Sequence, residues 1–567
     1  MKEKVLKVLK LVCLVIASFN ALMFYSMRPC WSGISKALGY EKGYNSFILY
    51  LPIIVFIIIL LLLITTITLF IKLKKNNLWN YILLPINIIF SIAIILIFAL
   101  GAKDYARFIF IKFLNTSLLL IAVSALLFFI FIYPKTKLKD SKIFKLSLLT
   151  VIVLSLFTYL FNLNVNYITY EPVVYAVENE YQIVFSSSTN SSGYVVVNNK
   201  KYYDLYAGSQ KSYEKVHKVS VPMEELDNAK EYSIYSLNYI YRGPFGAIKG
   251  NECSKTYKFK PVDTSDGLTY YSFSDIHMDL KGAKNAISMY DDYEFLVLNG
   301  DIISDVETYE DANYVNKVAY SLTKGEIPVI YARGNHEIKG KYSEQLYKFV
   351  GSKNQKFYYN FYFKDVYGIV LDMGEDHDDD WWEYYGSADF DSYRNEQVEF
   401  LKNEIVKNEF ASYKYRLAVC HIPLPFINAR HNHIESKKAL VEQLNKMNID
   451  MMLTGHQHEL FIFEPELIEP EVNLKYNEAY GGKKYKGYLL DFNFPTLMIS
   501  KHGYTQVDEV SKPNHMIGLH ISVDFNNLRQ TAIYNNVKHE KVSVVNPFYD
   551  KSYGDEIIIS LVDKKFN

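Results

Sequence analysis

Cysteine is scarce. Four in 567 residues cannot form a disulfide framework for a chain of this length, so any core has to come from apolar packing. Cys13 falls in an apolar run and Cys420 in an expected strand, where a small buried hydrophobe is the default, whereas Cys30 and Cys253 would both face outward, which permits one disulfide without supporting it. Net charge is missing too: 61 basic residues balance 61 acidic ones, which removes the electrostatic footprint of a nucleic-acid partner. No internal repeat or low-complexity tract is evident.

Charge is also missing locally. Residues 11–27, 47–71, 80–100, 114–133 and 146–163 are nearly charge-free apolar stretches, each close to the roughly 20 residues that cross a bilayer core as a helix. They predict an α-helical membrane bundle of five spans within 1–165. Lys2, Lys4, Lys7 and Lys10 ahead of the first stretch also suit a signal peptide, but no small-x-small cleavage site follows, so the helix is expected to be retained. Those lysines, "KLKK" at 72–75 and "PKTKLKDSKIFK" at 134–145 alternate in a way that marks the cytoplasmic side. The chain is then an integral protein of the cell membrane, with everything beyond about residue 164 outside and the lipid bilayer as a partner. Asn20, Asn87 and Asn115 are polar, but no acidic residue interrupts the five stretches, which favours anchoring over an ion pathway.

The pattern then changes from continuous apolar runs to short alternating ones. "YQIVFSSS", "GYVVVNN", "HKVSVPM" and "YSIYSLNYIY" predict a small antiparallel β-sandwich of the fibronectin type over 166–262. From 263 to 540, short apolar strands alternate with amphipathic stretches such as "NEQVEFLKNEIVKNE" at 395–409, as in an α/β layered domain. Residues 541–567 are set apart as a C-terminal tail.

Each strand of the α/β region ends in polar residues of one kind. "LTYYSFSDIH" ends at Asp275 and His277, "YEFLVLNGD" at Asp301, and "IPVIYARGNHE" at Asn335, His336 and Glu337. "YRLAVCH" ends at His421, and "IDMMLTGHQH" at His456 and His458. Open α/β sheets bind ligands beyond the carboxyl ends of their strands, so these residues should converge on one rim. Two aspartates, an asparagine amide and four imidazoles, without a thiolate, suit manganese, iron or zinc and argue against a structural zinc or iron–sulfur site. Seven donors exceed the needs of one tetrahedral ion, whereas a two-metal site with a bridging carboxylate uses them economically.

The ordered blocks D-x-H, G-D, G-N-H-E, H and G-H-x-H resemble those of the calcineurin-like metallophosphoesterase superfamily over roughly 266–505. The resemblance implies that Asp275, His277, Asp301 and His458 hold one metal, that Asp301 bridges, and that Asn335, His421 and His456 complete the second. It assigns His336 as the catalytic histidine, facing the substrate rather than a metal. The sandwich and the run "LDMGEDHDDDWWEYYGSADFDSYRNEQVEFL" look similar to purple acid phosphatase relatives. Ser304 stands where those enzymes carry a tyrosine, and His277 where they usually have glycine, so no coloured ferric-tyrosinate centre is expected.

The implied function is hydrolysis of a phosphate ester by in-line attack of water at phosphorus, assisted by two divalent or trivalent ions. The rival is a membrane sensor or binding module that has the fold without turnover, and intact ligand blocks together with His336 argue against it. His377, His431 and His433 read as solvated loop residues and His502 as a weak candidate for substrate contact. The acidic, aromatic stretch 374–391 reads equally as a lid over the metals or as a solvated loop, and it lacks the spacing of a calcium loop.

Overall fold

The structure, a computed structural model, describes residues 2–26, 46–72, 78–101, 165–384, 386–428, 434–458, 460–465, 472–475, 484–500, 516–546 and 551–566, with short helical pieces between 113 and 156. The chain divides into two compact units, Met1–Val165 and Asn166–Asn567.

The first unit contains α1 (Lys2–Ser26), α2 (Ser46–Lys72) and α3 (Leu78–Gly101). A small apolar cluster of Ala21, Phe24, Ile59 and Ile94 joins them. The amide of Asn20 donates to the carbonyl of Asn87 at 2.8 Å and accepts from the Ser91 hydroxyl at 2.6 Å, so these polar side chains tie α1 to α3. The expected bundle of five spans is not what the described residues form: among them, no helix is long and apolar enough to cross a membrane. A span needs about 20 unbroken apolar residues, because lipid offers the backbone no hydrogen-bond partner. α1 begins with the charged residues Lys2, Glu3, Lys4, Lys7 and Lys10. Most of the fourth and fifth apolar stretches lies outside the described residues.

In the second unit the strands between 166 and 262 do pair antiparallel. They are β1 (Ile168–Val177), β2 (Glu180–Val197), β3 (Glu214–Pro222), β4 (Glu231–Gly243) and β5 (Gly246–Lys258). They do not, however, form a separate sandwich. β6 (Leu268–Phe273), β7 (Phe295–Asn299) and β8 (Val329–Ala332) run parallel to one another, and β8 lies parallel to β1 with Val329 opposite Tyr175. The result is one mixed twelve-stranded sheet. Alternation along a strand shows which face is buried but not which edge finds a partner. Here the edge of β1 is satisfied by β8 instead of being left open.

A second, six-stranded sheet carries β9 (Tyr359–Phe363), β10 (Val366–Leu371), β11 (Tyr415–Cys420), β12 (Met451–Thr454) and β13 (Thr496–Met498). On the first sheet, β14 (Ile517–Asp524), β15 (Arg529–Asn536) and β16 (Ile557–Ser560) continue outward from β6, so the tail segment contributes an edge strand. The two sheets bury one core between them. Tyr415, Leu417 and Val419 of β11 face Phe295 and Val297 of β7 in that core, whereas Ala418 and Cys420 point the other way into a second core. The second core is closed by α6 (Phe390–Lys407) and α7 (Ile434–Leu444), while α4 (Leu280–Ile287) and α5 (Tyr309–Thr323) follow β6 and β7 in the chain. Cys13, Cys253 and Cys420 are free thiols, and Cys30 lies outside the described residues.

Candidate metal centre

The seven expected donors leave five parallel strand ends. β6 ends at Phe273 ahead of Asp275 and His277, β7 at Asn299 ahead of Asp301, and β8 at Ala332 ahead of Asn335. From the other sheet, β11 ends at Cys420 beside His421, and β12 at Thr454 ahead of His456 and His458. The carboxyl ends of both sheets therefore open onto one rim.

The backbone at this rim is strained. Asp275, His277, Asp301, His456 and His458 take φ values of 56, 43, 52, 76 and 55°, in the left-handed region that costs an L-residue roughly 1–2 kcal/mol. Such turns persist where neighbours over-determine them. The buried Glu337 carboxylate does so for the Asp301 turn, accepting from the backbone N–H of Asp301 at 2.9 Å, Ile302 at 2.7 Å and Gly334 at 3.0 Å. Gly455 is required by close approach: a Cβ there would sit 1.9 Å from the Ser274 hydroxyl.

The donors fall into two groups that share one residue. Asp275, His277, Asp301 and His458 offer ligand atoms within 4.8 Å of one another, and so do Asp301, His421 and His456. In the first group His458 Nε2 lies 3.2 Å from Asp275 Oδ1 and 3.2 Å from His277 Nε2, and His277 Nε2 is 3.7 Å from Asp301 Oδ2. In the second, His421 Nε2 lies 3.3 Å from Asp301 Oδ2, and His456 Nδ1 is 3.0 Å from Asn335 Oδ1. The Nδ1 of His421 is 2.7 Å from the Asn299 carbonyl, which fixes Nδ1 as a donor and turns Nε2 toward Asp301.

Asp275 Oδ1 and His421 Nε2 are buried and make no hydrogen bond among the described residues. Buried polar atoms are rarely left so, and an oxygen and nitrogen donor set of this composition fits ions of the manganese, iron or zinc type. Charge balance agrees. Burial works to raise the Asp301 carboxyl, yet the imidazoles of His421 and His336 hold it well below the usual range. Burial works to lower His421, but the carboxylates of Asp301 and Asp275 push it up to about 10.

His336 stands apart from both groups. Its backbone N–H donates to Asp301 Oδ1 at 3.0 Å, and its Nδ1 lies 2.8 Å from the carbonyl of Ser304. The Nε2 is then left 3.9 Å from Asp301 Oδ2 on a side chain that is 30% exposed, more than the 13–16% of His277, His456 and His458. Ser304, noted for lacking a phenol, acts here through its backbone. His377 stacks on Trp381 with centroids 4.1 Å apart, while His431, His433 and His502 lie outside the described residues.

Three carboxylates at the rim received no role from the sequence. Glu337 was visible as the fourth residue of G-N-H-E. Glu375 and Asp376 were hidden in the acidic stretch after β10, where the available signal was their position just past another strand end on the same rim.

Residues 268–460, roughly a third of the chain, match the family model of the calcineurin-like phosphoesterases. No curated protein matches the chain in sequence. Among solved structures, a purple acid phosphatase from yellow lupin (Lupinus luteus) seeds aligns at 13% identity over 69% of this chain and 74% of that one, with a TM-score of 0.42. A dimetal phosphatase from Danio rerio aligns at 12% identity over 49% of this chain and 98% of that one, with a TM-score of 0.33. Residues 268–460 are thus similar to the calcineurin-like phosphoesterases, a class of phosphoester hydrolases.

Proposed function

We propose that the chain hydrolyses a phosphate ester at a dinuclear centre, with Asp275, His277 and His458 on one ion, Asn335, His421 and His456 on the other, and Asp301 between them. The observation that carries this reading is the sharing of Asp301 by two otherwise separate ligand groups. When bound, the two ions would supply Lewis acidity to the ester and lower the pKa of the attacking water. The protein's part is positioning: the strained turns hold their side chains before substrate arrives, so little reorganisation is needed during reaction. His336, with Nδ1 committed to the Ser304 carbonyl, has Nε2 3.9 Å from Asp301 Oδ2, and as the imidazolium it can hand the Nε2 proton to the leaving oxygen.

The test uses the chain stripped of metal, restored with manganese, zinc or iron, and assayed on a model phosphomonoester and a model phosphodiester. Metal-dependent turnover is expected, and the ester preferred assigns the subclass. Two bound ions without turnover on either ester would favour a binding module instead.

The proposal extends to location. Attachment to the cell membrane through residues 1–165, with the catalytic unit on the outer side, is supported by the exposed Ile57, Ile58 and Leu61 of α2 and by the lysine-rich segments noted above. The chain should stay with membranes through a carbonate wash and be released by detergent. Release by carbonate alone would remove this part of the proposal.

A further inference from the structure

The acidic stretch after β10 is divided by burial. Glu375 and Asp376 are 1% and 3% exposed, whereas Asp378 and Asp380 face solvent. Both buried carboxylates reach residues of the second ligand group. Asp376 Oδ2 lies 2.8 Å from Nε2 of His456, and Asn335 Nδ2 donates to Glu375 Oε2 at 3.4 Å. Each contact settles an ambiguity in its partner. A neutral imidazole that donates through Nε2, as a metal ligand must be, offers its lone pair at Nδ1, and an amide that donates through Nδ2 must turn Oδ1 the other way. Those two freed atoms, His456 Nδ1 and Asn335 Oδ1, are the ones that converge at 3.0 Å.

The loop itself is held rigidly. The buried Arg394 guanidinium donates to the carbonyls of Met373, at 3.1 Å, and Glu375, and it pairs with Asp391 at 2.9 Å. The Tyr384 hydroxyl donates to Glu375 Oε2 at 2.5 Å, with the Lys339 ammonium 3.5 Å from the same oxygen. Glu375, Asp376 and His377 could also be read as a third cation site. The hydrogen bonds of both carboxylates to His456 and Asn335 speak against that reading.

We propose that Glu375 and Asp376 are positioning residues for the second ion alone: one fixes the amide orientation of Asn335 and the other the tautomer of His456. The inference rests on the dinuclear reading above. It accounts for part of the acidic stretch as support for a metal site, which neither a lid nor a solvated loop would require.

The experiment measures manganese binding by the metal-stripped full chain in equilibrium dialysis, independently of turnover. The original protein should take up two ions. In Asp376→Ala the second ion should bind about 10–100-fold more weakly while the first is unchanged, because outer partners of a ligating histidine typically carry that much affinity. Asp376→Asn keeps an acceptor for Nε2–H and should recover part of the loss, and Glu375→Gln should weaken the second ion without touching the first. If the alanine variant does not fold, the two isosteric variants carry the test. Unchanged affinity for both ions in these variants, or equal weakening of both, would overturn the inference and leave the phosphoesterase reading standing. Fewer than two ions in the original protein would overturn the dinuclear reading, and this inference with it.

Discussion

Two buried histidines of the second unit have opposite protonation behaviour. His217 on β3 is 0% exposed and His421 beyond β11 is 1% exposed, so burial is the same. The ring nitrogens of His217 meet the hydroxyls of Ser191, at 2.8 Å, and Ser212, at 3.3 Å, and burial drives it down to about 3. His421 meets Asp301 and is pushed up to about 10 despite burial. A buried imidazole among hydroxyls belongs to the fabric of the sheet. One that faces carboxylates is raised despite burial, as His421 and His456 are, whereas His277, buried and also crowded by His336 and His458, is lowered.

The largest effect should come from deleting the shared carboxylate. Asp301→Ala is expected to lower turnover by more than about 10³-fold, since both ions lose a ligand at once; a loss under tenfold in a phosphatase assay would break the contrast between rim and sheet. Next, His336→Ala should keep both ions and reduce kcat by about 10²–10⁴-fold, the range for general acid–base groups. Loss of metal in that variant, read by elemental analysis, would show that His336 is a ligand.

The pH dependence sharpens the comparison further. In the metal-free protein His421 is raised, so the folded chain holds a proton that the unfolded chain releases above about 6.5. Its contribution to stability is therefore present below about 6.5 and lost as pH rises toward about 10. An ion must displace that proton, so apparent affinity at the second site should climb up to about tenfold per pH unit between neutrality and about 10, with proton release measurable in weak buffer. For His217 the sign is reversed. The unfolded chain takes up a proton below about 6.5 that the folded one refuses down to about 3, so stability falls with pH over that window. The slope from this residue is about 1.4 kcal/mol per pH unit. His217→Gln should be less stable at neutrality yet lose less on acidification to pH about 5, as read by denaturant unfolding; an unchanged acid slope would contradict the assignment.

Much of the rim was legible because its logic is local. A strand reads as a short apolar run, its end as a polar break, and the α/β arrangement sends those breaks to one side. Asp275, His277, Asp301, Asn335, His421, His456 and His458 come together as their positions at strand ends implied. Pairing between distant edges was not legible, because the residues of β1 carry the same alternation whether or not β8 lies beside them. Asp376 was hidden for a related reason: within "EDHDDD" composition gives charge, while burial depends on Arg394 on α6 holding the loop inward. The apolar stretches of the first unit gave a count of spans that no described helix fulfils.

The most direct test of the central claim is the metal content of the original protein and of Asp301→Ala after equilibration with manganese and removal of excess. Two ions per chain in the first and loss from both sites in the second is the result expected if one carboxylate joins two sites. A single ion in the original protein, or loss of only one in the variant, would contradict it.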